Sequence, residues 1–230
     1  MKFRILYQDP YLVAIDKPAG FHVHPPEDPS YRISNQTNCL WILKNQLNTY
    51  LYPVHRLDRA TSGVLLFALQ KEAAKGLNLL FTEKRIKKTY FCVTRGWIKE
   101  KIELSYPLDG LEAQTTLTPV GHQEFSRPVG KYATARYTFL QAEPHTGKMH
   151  QIRRHCAHLS HPLIGDSIYG DGAHNRFFKT DLNISGLLLK AYQLNFIHPM
   201  TSQTLCITSK WDSLWHRTFD QMGVCGWKES

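Results

Sequence analysis

At 230 residues the chain can bury a sizeable core, in one large domain or two small lobes. Its 42% hydrophobic and 20% charged residues, with 14 Gly and 12 Pro scattered along it, exclude a disordered or fibrous protein, and 28 Lys and Arg against 19 Asp and Glu leave a net charge of +9 that favours a polyanionic partner such as nucleic acid. The N-terminus lacks the apolar stretch of a signal peptide and no apolar run approaches a membrane span, so the expected setting is the cytoplasm, without membrane contact.

In chain order, residues 11–16 (YLVAID) form a short apolar run closed by Lys17-Pro18-Ala19-Gly20, the pattern of a buried strand ending in a turn. Residues 22–30 carry three prolines and are expected to be a loop near a functional face. Trp41, Ile42, Leu47 and Tyr50 predict a helix before Tyr52-Pro53, and residues 63–69 (GVLLFAL) predict a strand buried on both faces. Ala73, Ala74, Leu77, Leu80 and Phe81 recur at helical steps, and the basic cluster Lys84, Arg85, Lys87, Lys88 follows them. Strands are expected over 90–93, 132–140, 187–196 and 204–208. A basic helix is expected over 149–160, stopped by Pro162, and Trp211, Leu214, Trp215 and Phe219 space a C-terminal helix before Gly223. Strand runs outnumber helices and do not alternate with them, which predicts an α+β fold with a mixed, largely antiparallel central sheet, flanked by helices and loops in one compact unit. Cys39, Cys92, Cys156, Cys206 and Cys225 contain no C-x-x-C pair and are expected to be reduced, mostly buried thiols.

The densest polar constellation is His55-Arg56-Leu57-Asp58-Arg59-Ala60-Thr61-Ser62-Gly63, at the entrance to the predicted core strand. A carboxylate between two arginines favours its charged form, which suits a nucleophile or a base. The same pattern also describes a structural salt-bridge knot, or an aspartate serving only a turn.

HRLDRATSG resembles the H-R-L-D-x-x-T-S-G signature of the large ribosomal-and-transfer-RNA pseudouridine synthase family, whose aspartate is catalytic. Three further stretches are similar to that family in the same order. Asp16 to Gly20 with His24-Pro25 resembles its K-P-x-G-x-x-V-H-P opening. Lys88-Thr89-Tyr90 resembles its K-x-Y motif, whose tyrosine packs on the target base. Thr146-Gly147-Lys148-Met149-His150-Gln151-Ile152-Arg153, then His161 to Asp166 and Tyr169-Gly170, resembles its T-G-R-x-H-Q-I-R…H-P-x-x-G-D-x-x-Y-G block. Lys148 stands where the family usually has arginine, so the planar fork for a bidentate phosphate contact is lost there.

The resemblance implies a pseudouridine synthase catalytic fold over 1–230, without an appended N-terminal S4-type domain, that isomerises uridine with neither metal nor cofactor, including no nucleotide cofactor. It places catalysis on Asp58, Tyr90 and Arg153. Asp58 could attack C1′, take the C2′ proton or add to the ring; Tyr90 would stack on the uracil and could take the C5 proton; Arg153 would pair with Asp58 at about 2.7–3.2 Å. Substrate contacts are expected from His55, Arg56, Arg59, Thr61, Lys84, Arg85, Lys88, Lys148, His150 and Gln151, with the basic run beside Tyr90 placed to hold phosphates. His150, His155, His158 and His161 match no standard metal spacing and are read as part of a basic, RNA-facing helix region. Within the family, the stretches 131–133, 143–147 and 170–177 are most similar to members that modify the tRNA uridine at position sixty-five, so tRNA is the expected partner, of a protein expected to be a monomer. A ribosomal RNA or another tRNA uridine is the alternative target. A glycoside hydrolase would need a second, well-placed carboxylate, and a non-catalytic RNA-binding module would leave Asp58 and Tyr90 without a purpose.

Overall fold

The computed structural model describes residues 1–23 and 34–224. Most of the expected 22–30 loop, the His24-Pro25 end of the first motif and Cys225 lie outside the described residues. In chain order the elements are β1 (Arg4–Gln8), β2 (Leu12–Lys17), α1 (Cys39–Leu47), β3 (Tyr52–Pro53), β4 (Ser62–Ala68), α2 (Lys71–Thr82), β5 (Lys87–Arg95), β6 (Ile102–Ser105), β7 (Gln114–Phe125), β8 (Ala135–Pro144), α3 (Gln151–His158), α4 (Gly172–Thr180), β9 (Leu189–Ile197), β10 (Thr204–Thr208) and α5 (Ser213–Met222). This is the α+β composition expected, divided between two compact units, each assembled from two stretches of chain.

The first unit comprises Met1–Lys88 and Ala191–Ser209. β2 pairs antiparallel with both β1 and β4, β3 pairs with β4, and β10 pairs with the end of β9. Every residue of β4 is buried, as its unbroken apolar run requires. Ala73, Ala74, Leu77 and Leu80 of α2 pack with Leu12, Ala14, Val64, Leu66 and Phe196 in one core. Gly63 opens β4 at φ +119, and a Cβ there would lie 2.0 Å from the Ala191 carbonyl oxygen, so no other residue fits behind the aspartate turn.

The second unit comprises Thr89–Lys190 and Lys210–Ser230. β8 pairs antiparallel with β5 and β7, and β7 with β6. Phe91 and Phe139 stack, and Trp211, Trp215 and Phe219 close over them from α5 and the segment just ahead of it. β8 runs from Ala135 to Pro144, not over 132–140. Tyr132 instead bridges Val129 in the turn before it and is half exposed. β7 pairs with β8 over its whole length in spite of Pro119; the register shifts between Pro119 and Gly121, and β6 reaches only as far as Leu117, so the prolyl nitrogen faces no partner strand on that side. α3 begins at Gln151 because His150 sits in the left-handed region at φ 55, which shortens the helix expected from 149.

Candidate active site

Asp58 lies in the irregular segment between β3 and β4 and is half-buried. Its carbonyl accepts from Thr61 N at 3.1 Å, closing a turn that delivers the chain into β4. Beneath the turn is Lys17, the last residue of β2, with no exposed surface. Its ammonium donates to the carbonyls of Pro18 (3.1 Å), Arg59 (3.2 Å) and Thr61 (2.7 Å). The Arg59 carbonyl also accepts from Gly20 N at 2.7 Å, and Arg59 Nε returns a bond of 3.2 Å to the Gly20 carbonyl. The K-P-x-G motif and the H-R-L-D motif are therefore joined through backbone around one buried cation. Burial pushes Lys17 down to about 8, while Cys39 and the Asp58 carboxylate pull the other way.

Lys17→Met would take the ammonium away from three carbonyls, of which that of Arg59 keeps Gly20 N as a backbone donor, and the expected cost is about 2 kcal/mol in urea denaturation. The variant is also expected to flatten the pH dependence of stability. The unfolded chain holds the Lys17 proton more tightly than the folded one, so wild-type stability rises as pH climbs from about 8 towards the ordinary lysine value. Lys88, which burial likewise lowers to about 8, leaves the variant a residual slope in the same window.

His55 is tied into the scaffold. Its Nε2 accepts from Leu66 N at 2.9 Å and its ring stacks on Phe81 at 4.9 Å, so the proton sits on Nδ1. Burial, with help from Lys88, pushes it down to about 3, and it is neutral at physiological pH. Thr61 is buried with its carbonyl on Lys17, whereas Arg56 and Arg59 are exposed. Lys84 is exposed in a left-handed turn after α2, beside exposed Arg85, which pairs with Glu83 at 3.3 Å.

In the second unit Tyr90, on β5, is half-buried against the core cluster that includes Cys92, Ile152 and Leu163. Arg153 is on α3 and only 5% exposed, its own side chain turned away from solvent. Its Nε and Nη2 donate to the two carboxylate oxygens of Asp166 at 2.7 and 2.8 Å. The Asp166 side chain is fully buried and also accepts from Ile168 N and Tyr169 N at 2.9 and 3.1 Å. Burial opposes its charge, but Arg153 and these two amides outweigh that and hold the carboxyl below the usual carboxylate range. Gly170 is required next to it, since a Cβ there would lie 2.1 Å from the Asp166 carbonyl oxygen.

Gln151 is committed to the interior: its Oε1 accepts from Thr146 Oγ1 and Lys148 N, and its Nε2 donates to the Gln114 carbonyl and Thr115 Oγ1. It shapes the loop that carries Lys148. The four histidines go to different partners. His150 meets Tyr169 Oη at 3.2 Å, His155 meets Thr115 Oγ1 and the Tyr106 carbonyl, His158 stacks on Tyr106, and His161 meets the Arg95 carbonyl. Among the described residues no group of three or more His, Cys, Asp or Glu could hold a metal ion. Cys39, Cys92 and Cys156 are buried free thiols and Cys206 is exposed.

Lys17 and Asp166 were not among the site residues expected from the sequence, although both stand in the quoted motifs. The signal available was that each charged residue lies in an otherwise apolar, turn-forming stretch, where an ion must find a partner.

A family model described as RNA pseudouridylate synthase matches residues 11–158. The tRNA pseudouridine synthase C of Vibrio cholerae serotype O1 is 40% identical over 243 residues, covering 98% of this chain and 97% of that protein. The protein of the same name from Pasteurella multocida is 39% identical, covering 99% and 98%. Two solved structures are similar in fold: Human RNA Pseudouridylate Synthase Domain Containing 1 (TM-score 0.70, 21% identity, 91% of this chain and 84% of that one) and Domain Containing 4 (TM-score 0.68, 23% identity, 96% and 93%).

Proposed function

Because this chain belongs to the RNA pseudouridylate synthase family and is an isomerase of uridine in RNA, we propose that its substrate is tRNA and its target the uridine at position sixty-five. The observation that carries this reading is the similarity, over nearly the full length of both chains, to the tRNA pseudouridine synthases C. The enzyme acts in the cytoplasm.

The reaction breaks the C1′–N1 bond and joins C1′ to C5, without redox change or net charge, so one carboxylate can carry the central step. Asp58 is that carboxylate. Tyr90 stacks on the uracil, and Arg153, its fork fixed by Asp166, supplies the charge that balances Asp58. Arg56, Arg59, Lys84, Arg85, Lys88 and Lys148 hold phosphates. His55, Thr61 and Gln151 act by shaping the backbone that presents those residues. EDTA is expected to leave turnover unchanged.

Tritium release from tRNA carrying 5-tritiated uridine tests the reading, because isomerisation frees the C5 hydrogen. Release is expected from tRNA with uridine at position sixty-five and not from the same tRNA with cytidine there. Undiminished release from the second tRNA would move the target to another uridine.

A further inference from the structure

Tyr169 has no part in the chemistry assigned to Asp58, Tyr90 and Arg153, yet its ring is built against the Arg153 guanidinium. The central carbon of that guanidinium lies 5.3 Å from the ring centre, within cation–π reach. Tyr169 is half-buried, and two bonds place its ring. Tyr169 N donates to Asp166 Oδ1 at 3.1 Å, and the same oxygen accepts from Arg153 Nη2 at 2.8 Å. At the other end Tyr169 Oη meets His150 Nδ1 at 3.2 Å, with the two rings 5.6 Å apart and 73° from parallel. The ring is therefore anchored through its backbone on the carboxylate that holds Arg153, and through its hydroxyl on His150. The chain turns tightly just after it, since a Cβ on Gly170 would meet the Asp166 carbonyl oxygen at 2.1 Å.

Asp166 holds the guanidinium through Nε and Nη2, two donors on one edge, so the bidentate contact fixes that edge firmly and restrains rocking about it less. A ring packed against the guanidinium opposes that motion, because tilting drives its nitrogens into the ring carbons or pulls them out of contact. The ring also stands where water would otherwise solvate the cation, and its negative face supplies an attraction that an aliphatic side chain of the same bulk lacks. Carboxylate and ring thus restrain different motions of one side chain, and a single loop, residues 166–169, presents both.

We propose that Tyr169 is a positioning residue for the reaction: together with Asp166 it fixes the plane of the Arg153 guanidinium and so the direction in which that cation acts. The inference rests on the reading of Arg153 as the cation that balances Asp58. Packing alone would ask only for an apolar side chain at this position, whereas holding the plane of a cation asks for an aromatic ring.

The test is a double-mutant cycle on the full chain, with kcat and KM measured by tritium release from tRNA at a temperature below the thermal transition of every variant. Tyr169→Leu is expected to lower kcat about tenfold, the scale of one cation–π contact closed to water, with KM within about twofold of wild type. Tyr169→Phe keeps the ring and loses the bond to His150, and its kcat is expected to stay within about threefold of wild type. In the Arg153→Lys background there is no guanidinium plane to hold, and Tyr169→Leu is expected to change kcat by less than about twofold. Should Tyr169→Leu not fold, Tyr169→Met removes the ring at closer volume and carries the same expectations. A wild-type kcat without the ring, a loss in Tyr169→Phe equal to that in Tyr169→Leu, or the same factor lost with and without the guanidinium would overturn the positioning role and leave Tyr169 to the fold. Arg153→Lys alone separates the two claims. A wild-type kcat in that variant sinks the reading of Arg153, and the role of Tyr169 with it, whereas a loss there with none in Tyr169→Leu sinks the positioning role only.

Discussion

Asp58→Asn is expected to lower tritium release from tRNA by at least about a thousandfold, the magnitude usual for an essential group, while affinity for the RNA changes little. Asparagine keeps the shape of the side chain, and the turn it sits on is closed by backbone, through Thr61 N on the Asp58 carbonyl and through Lys17 on the carbonyls of Arg59 and Thr61. The backbone bonds that close the loop are therefore untouched by the change, which removes the charge. Affinity is expected to survive because it rests on phosphate contacts from cations that the substitution leaves in place. A filter-binding Kd within about threefold of wild type, with turnover abolished, is the expected pair of results. Turnover above about a thousandth of wild type would remove Asp58 from the central step.

The parts of this molecule that could be read from its sequence are those where one physical effect dominates. The buried strand β4 is an unbroken apolar run, α2 keeps a strict helical step in Ala73, Leu77 and Leu80, and α5 ends on Gly223 in the left-handed region, so burial pattern and cap chemistry agree. β7 escaped because half of its residues are threonine, glutamine and proline and its apolar Leu117, Val120 and Phe125 do not alternate, while its pairing with β8 is stabilised by backbone bonds. α4 escaped because Gly172, His174 and Asn175 are poor helix formers; its start is fixed by the Asp171 cap and its inner face by Phe177 and Phe178, which only the tertiary structure reveals. The site divides in the same way. Asp58 and Tyr90 stood out through motifs, whereas the buried bonds of Lys17 to the carbonyls of Arg59 and Thr61, and of Arg153 to Asp166, join residues whose closeness no sequence spacing expresses.

Asp166→Asn is expected to be among the most destabilising single changes in the second unit. The Arg153 guanidinium and the Asp166 carboxylate are both buried and bonded fork to fork, and removing the Asp166 charge breaks that pair in a low-dielectric interior. The expected loss is about 3–5 kcal/mol in urea denaturation, the range for a broken buried pair. The pH dependence follows from the same bond. The folded-state value of Asp166 lies below its unfolded value, so its contribution is fully present above the ordinary carboxylate range and is lost as pH falls through the folded value. The variant is therefore expected to lose less stability than wild type on acidification. Arg153→Lys separates the structural part from the catalytic part. Lysine keeps a positive charge near Asp166 and preserves more of the stability than Asp166→Asn does, but it cannot make the two-pronged contact that fixes the plane of the cation. If Arg153 serves only the fold, tritium release at a temperature where the variant is fully folded will match wild type. If it balances the charge of Asp58 in the reaction, kcat is expected to fall about tenfold or more with KM nearly unchanged, since the cation acts on the reacting carboxylate and not on the bound phosphates.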